Sequence, residues 1–174
     1  MRARGELRES PGDKQKLIAD LKGRLTTANL AEADLSQGCL VFQGVCSACH
    51  SMYGNGGKIG PDLTGSGRAN LDYLLENMVD PSGTVSADYR MSIITLKDGR
   101  VLGGIIAAQT ERTLTVRLLT EETTVEKKEI VKLESPPVSM MPEGLLPALP
   151  REQVRDLIAY LMHPVQVPLP SASK

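Results

Sequence analysis

Apolar residues recur at helical spacing in four separate stretches, and between the third and the fourth the period shortens to that of strands. The first stretch, Lys14 to Leu25, carries Leu17, Ile18, Leu21 and Leu25 behind the breaker Ser10-Pro11-Gly12, which predicts a short amphipathic helix. In the second, Leu35, Cys39, Phe42 and Cys46 lie along one side of a helix with Asp34 as N-cap and Gln37 in the capping-box position. That helix delivers Cys46 at its C-terminal end. The third runs from an Asn70 cap through Leu71, Leu74, Leu75, Met78 and Val79 until Pro81 ends it. The fourth sets Val154, Leu157, Ile158 and Leu161 in one stripe, with Pro150 suited to the first helical position and Pro164 beyond the end.

From Ser86 to Glu134 β-branched residues take over. Arg90 to Leu96, Val101 to Ala107, Thr113 to Leu119, Thr123 to Glu129 and Ile130 to Leu133 read as strands, the first four separated by Lys97-Asp98-Gly99-Arg100, Gln109-Thr110-Glu111 and Thr120-Glu121-Glu122. They predict a small antiparallel β unit, closed or nearly so. Between the second and third helices, Gly54-Asn55-Gly56-Gly57 and the run Gly60 to Gly65 predict an irregular loop.

The 174 residues are 41% hydrophobic and 24% charged, enough for one ordinary core or two small ones. With a formal net charge of -1, no global field favours nucleic acid or an anionic membrane. No apolar run approaches the roughly 20 residues that span a bilayer, and Met1 to Ser10 is charged and lacks the apolar centre of a signal peptide. Aromatic residues are 3%, with no Trp and one Phe, a supply that a buried porphyrin would supplement and that a Leu/Val/Ile core would not need. The turn Leu96 to Gly103 resembles small SH3-like or Sm-like barrels, which can bind RNA. Yet Ser86 to Glu134 holds eight basic and eight acidic side chains with Tyr89 as its one aromatic, so neither a phosphate funnel nor a stacking platform is present. The β unit is read instead as a docking or shielding module for a redox partner.

Three cysteines, Cys39, Cys46 and Cys49, exclude a purely disulfide-stapled scaffold. Cys46-Ser47-Ala48-Cys49-His50 is a Cys-x-x-Cys-His motif, in which two thiols can each join one vinyl group of a single haem and the adjacent His can face the iron. A thioredoxin-like redox pair expects a preceding strand, whereas a capped helix precedes this one. A structural zinc site needs four ligands, and the remaining Cys and His are Cys39, on the same helix, and His163. Covalent haem on Cys46, Cys49 and His50 is the reading that uses every member of the motif.

Around the motif the chain resembles class I c-type cytochromes. Gly38, Phe42 and Cys46 stand four apart, and Leu157 and Tyr160 stand three apart on the last helix, like that family's crossing of first and last helices. A Gly at such a crossing lets two helices approach closely. Ile59-Gly60-Pro61-Asp62-Leu63-Thr64-Gly65 is similar to the family's loop, in which the Pro carbonyl accepts a hydrogen bond from the proximal His; the resemblance gives that role to Pro61. More closely, Asp34 to Met162 resembles the Pirellula/Verrucomicrobium-type haem-binding domain, found at the C-terminus of larger dehydrogenase-like chains. The matching stretches are Cys46 to His50, Gly60 to Gly65, Asp80-Pro81-Ser82, Leu96 to Arg100, Met141 to Leu145 and Asp156 to Leu161. The resemblance also makes Met141, before Pro142, the sixth iron ligand, ahead of Met140 and His163; Met52 is too close to His50 to reach the opposite face.

The expected fold class is mostly α: a class I cytochrome c helical fold with a small antiparallel β insertion of SH3-like barrel type before the axial Met loop. Residues 1–33 form an N-terminal extension or linker, 34–83 and 136–164 the two parts of the cytochrome, 84–135 the insertion and 165–174 a flexible tail. The resemblance implies one covalent haem c with His50 and Met141 as axial ligands, and outer-sphere electron transfer from a partner dehydrogenase rather than enzymatic turnover. It also implies a periplasmic location, with a signal upstream of Met1. A haem sensor or peroxidase-like protein with a labile sixth ligand is one alternative, and a non-haem interaction module built on the β unit is another.

Overall fold

The computed structural model describes residues 10–170. The first nine residues of the expected N-terminal extension and the last four of the expected tail lie outside that range. In chain order the elements are α1 (Gly12–Arg24), α2 (Thr27–Ala31), α3 (Leu35–Val45), β1 (Ser51–Met52), β2 (Asn55–Gly56), α4 (Leu71–Val79) and α5 (Pro81–Thr84). They continue with β3 (Ser92–Leu96), β4 (Val101–Gln109), β5 (Thr113–Arg117), β6 (Glu122–Glu126), β7 (Ile130–Glu134) and α6 (Arg151–Met162).

The expectation of a mostly α fold is overturned: the described residues are 37% helical and 22% strand, and among them are six α-helices and a five-stranded antiparallel sheet. The strand region is no decoration on a helical body, because it closes a core of its own. Two compact units result, one of Pro81–Pro142 and one of residues 10–80 with 143–170. Among the described residues no helix is long and apolar enough to cross a membrane.

In the helical unit α3 packs on α6 and α2 beside it, while α1 packs on α4. Asp34 caps α3 by accepting from the backbone N–H of Ser36 at 2.9 Å and Gln37 at 3.0 Å. The expected capping box is replaced by a tertiary bond, since the Asp34 N–H donates to Asp156 Oδ1 on α6 at 3.1 Å. This aligns the two helices at their crossing. A Cβ added at Gly38 would lie 2.1 Å from the Asp156 carbonyl oxygen and 2.7 Å from Tyr160 Cβ, so hydrogen alone fits there. The contacts are thus Asp156 and Tyr160, one residue off the expected Leu157. One turn along, Phe42 and Tyr160 meet with ring centroids 5.8 Å apart and planes tilted by 56°. Cys39, Leu75, Leu157 and Ile158 complete a core from which water is excluded. At the start of α6, Pro150 is the N-cap rather than the first helical residue.

The other unit opens with α5, a turn of helix absent from the sequence expectation, and a 3-10 turn at Ala87–Tyr89. Its strands pair antiparallel in the order β6-β5-β4-β3-β7, leaving β6 and β7 as the two edges of an open order. Alternation in β3 and β5 turns Ile94, Leu96, Leu114 and Val116 inward, where Val125 of β6 joins them. Register shifts at Thr95/Leu96 and between Ile106 and Ala108 bend the sheet around this core.

Candidate functional site

The backbone of the Cys-x-x-Cys-His segment is a tight turn that continues the end of α3. The Cys46 N–H still donates to Phe42 O at 2.8 Å, and the Cys46 carbonyl accepts from Cys49 N at 3.1 Å and His50 N at 2.9 Å. Cys46, Cys49 and His50 are thereby held on one turn, and all three cysteines of the chain are free thiols. Burial pushes the Cys46 thiol up to about 12, helped by the neighbouring Cys49, and burial raises Cys49 as well.

The glycine-rich segment wraps this turn rather than wandering from it. Gly57 N donates to Ser47 O at 2.7 Å, Gly60 N to Cys49 O at 2.7 Å and Leu63 N to Ser51 O at 2.8 Å. Ser51 pairs with Gly56 and Met52 with Asn55, so the loop expected to lack strand contains a two-residue ladder. Three glycines are demanded by contact. A Cβ at Gly56, whose φ is +117°, would lie 2.2 Å from His50 O, one at Gly57 2.0 Å from Ala48 O, and one at Gly60 2.6 Å from His50 Cε1.

His50 is fixed by this wrap. Its Nδ1 lies 3.0 Å from the carbonyl of Pro61, the partner that the family resemblance implies. A carbonyl only accepts, so Nδ1 is the donor in this bond and Nε2 is the ring nitrogen left for another partner. A neutral imidazole oriented by a carbonyl is the form in which His binds a metal ion. Next to Pro61, Asp62 accepts from Ser51 Oγ at 2.8 Å and from Thr64 N at 2.7 Å. Hydrogen bonds from Thr64, then Ser51, hold its carboxyl below the ordinary range.

Arg68, unremarked in the sequence, ties the wrap to the last helix. It is buried, donating from Nη1 to Leu161 O at 2.6 Å and to His163 O, and from Nη2 to Tyr53 Oη at 2.7 Å. These carbonyls are the unpaired ones at the negative end of α6, so the guanidinium both caps the helix and meets its dipole. Tyr53 adopts a left-handed φ of +52°, donates its hydroxyl to His163 O at 2.8 Å and stacks under Arg68 at 5.1 Å. A lone Arg after a Gly-rich run carries no signal for such a role. His163 acts here through its backbone carbonyl, while its ring lies 2.7 Å from Val165 O.

Of the five expected site residues, Cys46, Cys49, His50 and Pro61 come together in the helical unit. Met141 belongs to the other unit, one residue before its end, half-buried, with its N–H donating to Ser139 Oγ at 3.1 Å. Met140 is half-buried beside it. Among the described residues no group of three or more His, Cys, Asp or Glu could hold a bare metal ion. A haem iron would bring four pyrrole nitrogens of its own. Two free thiols on the same turn and a His with an available Nε2 fit that group. No protein-family model matches the chain. None of the curated proteins matches it either.

Proposed function

We propose that the chain is a c-type haem protein that carries electrons, with Cys46 and Cys49 holding one haem c covalently and His50 as an axial ligand. The observation that carries the reading is the orientation of His50, whose ring is locked against Gly60 and whose Nδ1–H donates to Pro61 O at 3.0 Å. The group supplies a one-electron iron couple when bound. The residues supply the rest: the thiols prevent loss, Pro61 raises the basicity of His50, and the glycine wrap keeps the ring from turning. A site held this rigidly suits electron transfer, because little rearranges between oxidised and reduced states.

The sequence resemblance adds Met141 as thioether ligand opposite His50, a dehydrogenase as electron donor and a periplasmic setting. Met ligation would raise the potential and leave no iron position for substrate. The test is expression beside a haem-ligation system, with spectra in both redox states and denaturing mass spectrometry. A red protein whose denatured chain retains the mass of one haem supports the reading. A colourless product, or a coloured one that loses its haem on denaturation, overturns it. Rapid carbon monoxide binding by the reduced form would mark an open sixth position and remove Met141 from the assignment.

A further inference from the structure

Within the helical unit, the end of α1, the turns of residues 146–150 and the first turn of α6 enclose a cavity of about 690 Å³. None of Cys46, Cys49, His50 and Pro61 lines it. Its wall is largely apolar: Leu21, Leu25, Leu146 and Val154 are buried against it, and Leu17 and Leu149 line it half-buried. A helix cannot run back through Pro150 and Pro147, which lack the N–H it needs, so α6 stops short and the space stays open. Both the volume and the apolar wall with a few polar groups are those of a small-molecule site.

The charged part of the wall is Arg24, Arg151, Arg155 and Glu152. Arg155 is taken, since its Nε and Nη2 both lie 2.9 Å from Asp156 Oδ1. Arg24 pairs with Asp20 four residues back on the exposed side of α1, a contact that contributes little and gives way to a competing carboxylate. Among the described residues Arg151 enters no ion pair. Against these two guanidinium groups stands one exposed carboxylate, Glu152. No side chain caps α6, so the amides of its first turn add positive partial charge beside Arg151.

We infer that this cavity binds an amphipathic monocarboxylate of the fatty-acid class, with its alkyl chain against Leu21, Leu25, Leu146 and Val154 and its carboxylate held by Arg151 and Arg24. The planar fork of a guanidinium matches a carboxylate in both shape and charge, and the chain gains by leaving water for the leucines. A small anion would leave the apolar wall unused, and an alkyl ammonium would meet the arginines with like charge. The site involves neither the haem-attachment turn nor any residue of the sheet unit, so it stands or falls apart from the haem reading.

The experiment titrates the full chain with laurate below its micelle threshold by calorimetry, and follows amide hydrogen exchange with and without laurate. One laurate per chain is expected, with exchange slowed over residues 17–29 and 146–155. Acetate, which lacks the chain, and laurylamine, which reverses the charge, should each bind more weakly by about tenfold or more. Arg151→Gln with Arg24→Gln should weaken laurate by about tenfold or more, and Leu149→Gln should also weaken it. These positions are exposed or half-buried, and an unchanged circular dichroism spectrum shows that each variant keeps its fold. No heat and no slowing of exchange with laurate overturns the inference. So does laurylamine bound as tightly as laurate, an affinity unmoved in the double arginine variant, or slowing confined to other parts of the chain.

Discussion

Substituting Gly38 by Ala tests the helix crossing with a single methyl group. The new Cβ would sit 2.1 Å from the Asp156 carbonyl oxygen, 2.6 Å from its carbon and 2.7 Å from Tyr160 Cβ. Two of these are backbone atoms, which cannot swing aside, so relief to ordinary contact near 3.4 Å requires α3 and α6 to part by roughly 1.3 Å. A gap of about 0.5–1 Å already forfeits a quarter to a half of a dispersion contact, and the contacts at stake are those of Cys39, Phe42, Leu157 and Tyr160. Overpacking of this kind costs about 3 kcal/mol, against which Ala returns about 1 kcal/mol of helix propensity. The net loss of about 2 kcal/mol corresponds to a fall in Tm of about 4–8 °C for a chain of this size. Gly44 lies on the same helix with nothing within 4 Å of its Cβ position, so Gly44→Ala should raise Tm by about 2–4 °C. Thermal unfolding followed at 222 nm reads the helices of this unit directly. Equal shifts in the two variants, or a Gly38→Ala chain at least as stable as the unchanged one, would refute the close crossing.

Gly60→Ala drives a methyl into the His50 ring and should break the bond to Pro61, lowering the yield of haem-bearing chain; an unchanged yield and spectrum would show that the ring has room to turn. Arg68→Met removes the guanidinium donors to Leu161 O and His163 O and should destabilise the unit by about 2–4 kcal/mol, measured as a shift of the guanidinium midpoint at constant slope, while Arg68→Lys should recover less than half of it. In the chain as folded without any attached group, burial keeps Cys46 protonated, so Cys49 should be alkylated first at pH 8 and the Cys46 rate should climb with pH towards about 12. The sign for stability follows: a thiol whose folded value is raised loses its contribution as pH rises from the ordinary value near 8.5 through about 12, so the haem-free chain should be less stable at pH 11 than at pH 7. Equal labelling of Cys46 and Cys49 in the folded chain would contradict the burial.

Much of the local structure could be read before any fold was known, for reasons confined to a few residues at a time. Asp34 and Asn70 cap their helices because a short acceptor precedes an amphipathic run, and Pro81 ends α4 because it cannot donate. The five strands follow from β-branched alternation and turn residues, with boundaries off by one to three positions, the largest at the end of β6, where the 3-10 turn Lys127–Glu129 interrupts the pattern. The pairing of His50 with Pro61 followed only from the resemblance of Ile59 to Gly65 to a family loop, and the 3.0 Å approach of the two agrees with it. Fold class was misjudged because residue count by segment says nothing of whether strands close a separate core, and Ile94, Leu114 and Val116 do so only once the sheet order brings them together.

Tertiary structure decided what depends on groups distant in the chain. Arg68 is separated from Leu161 by 93 residues and Lys14 from Glu143 by 129, and neither carries a local pattern that names its partner. The same holds for Asp156, whose carboxylate takes the Asp34 N–H that a local capping box would have claimed. Capping, periodicity and the thiol spacing are short-range physics, fixed by covalent geometry within a turn or two. A buried cation finds its carbonyls only after the helices have packed, because its free energy depends on which dipoles and carboxylates the finished core leaves unpaired.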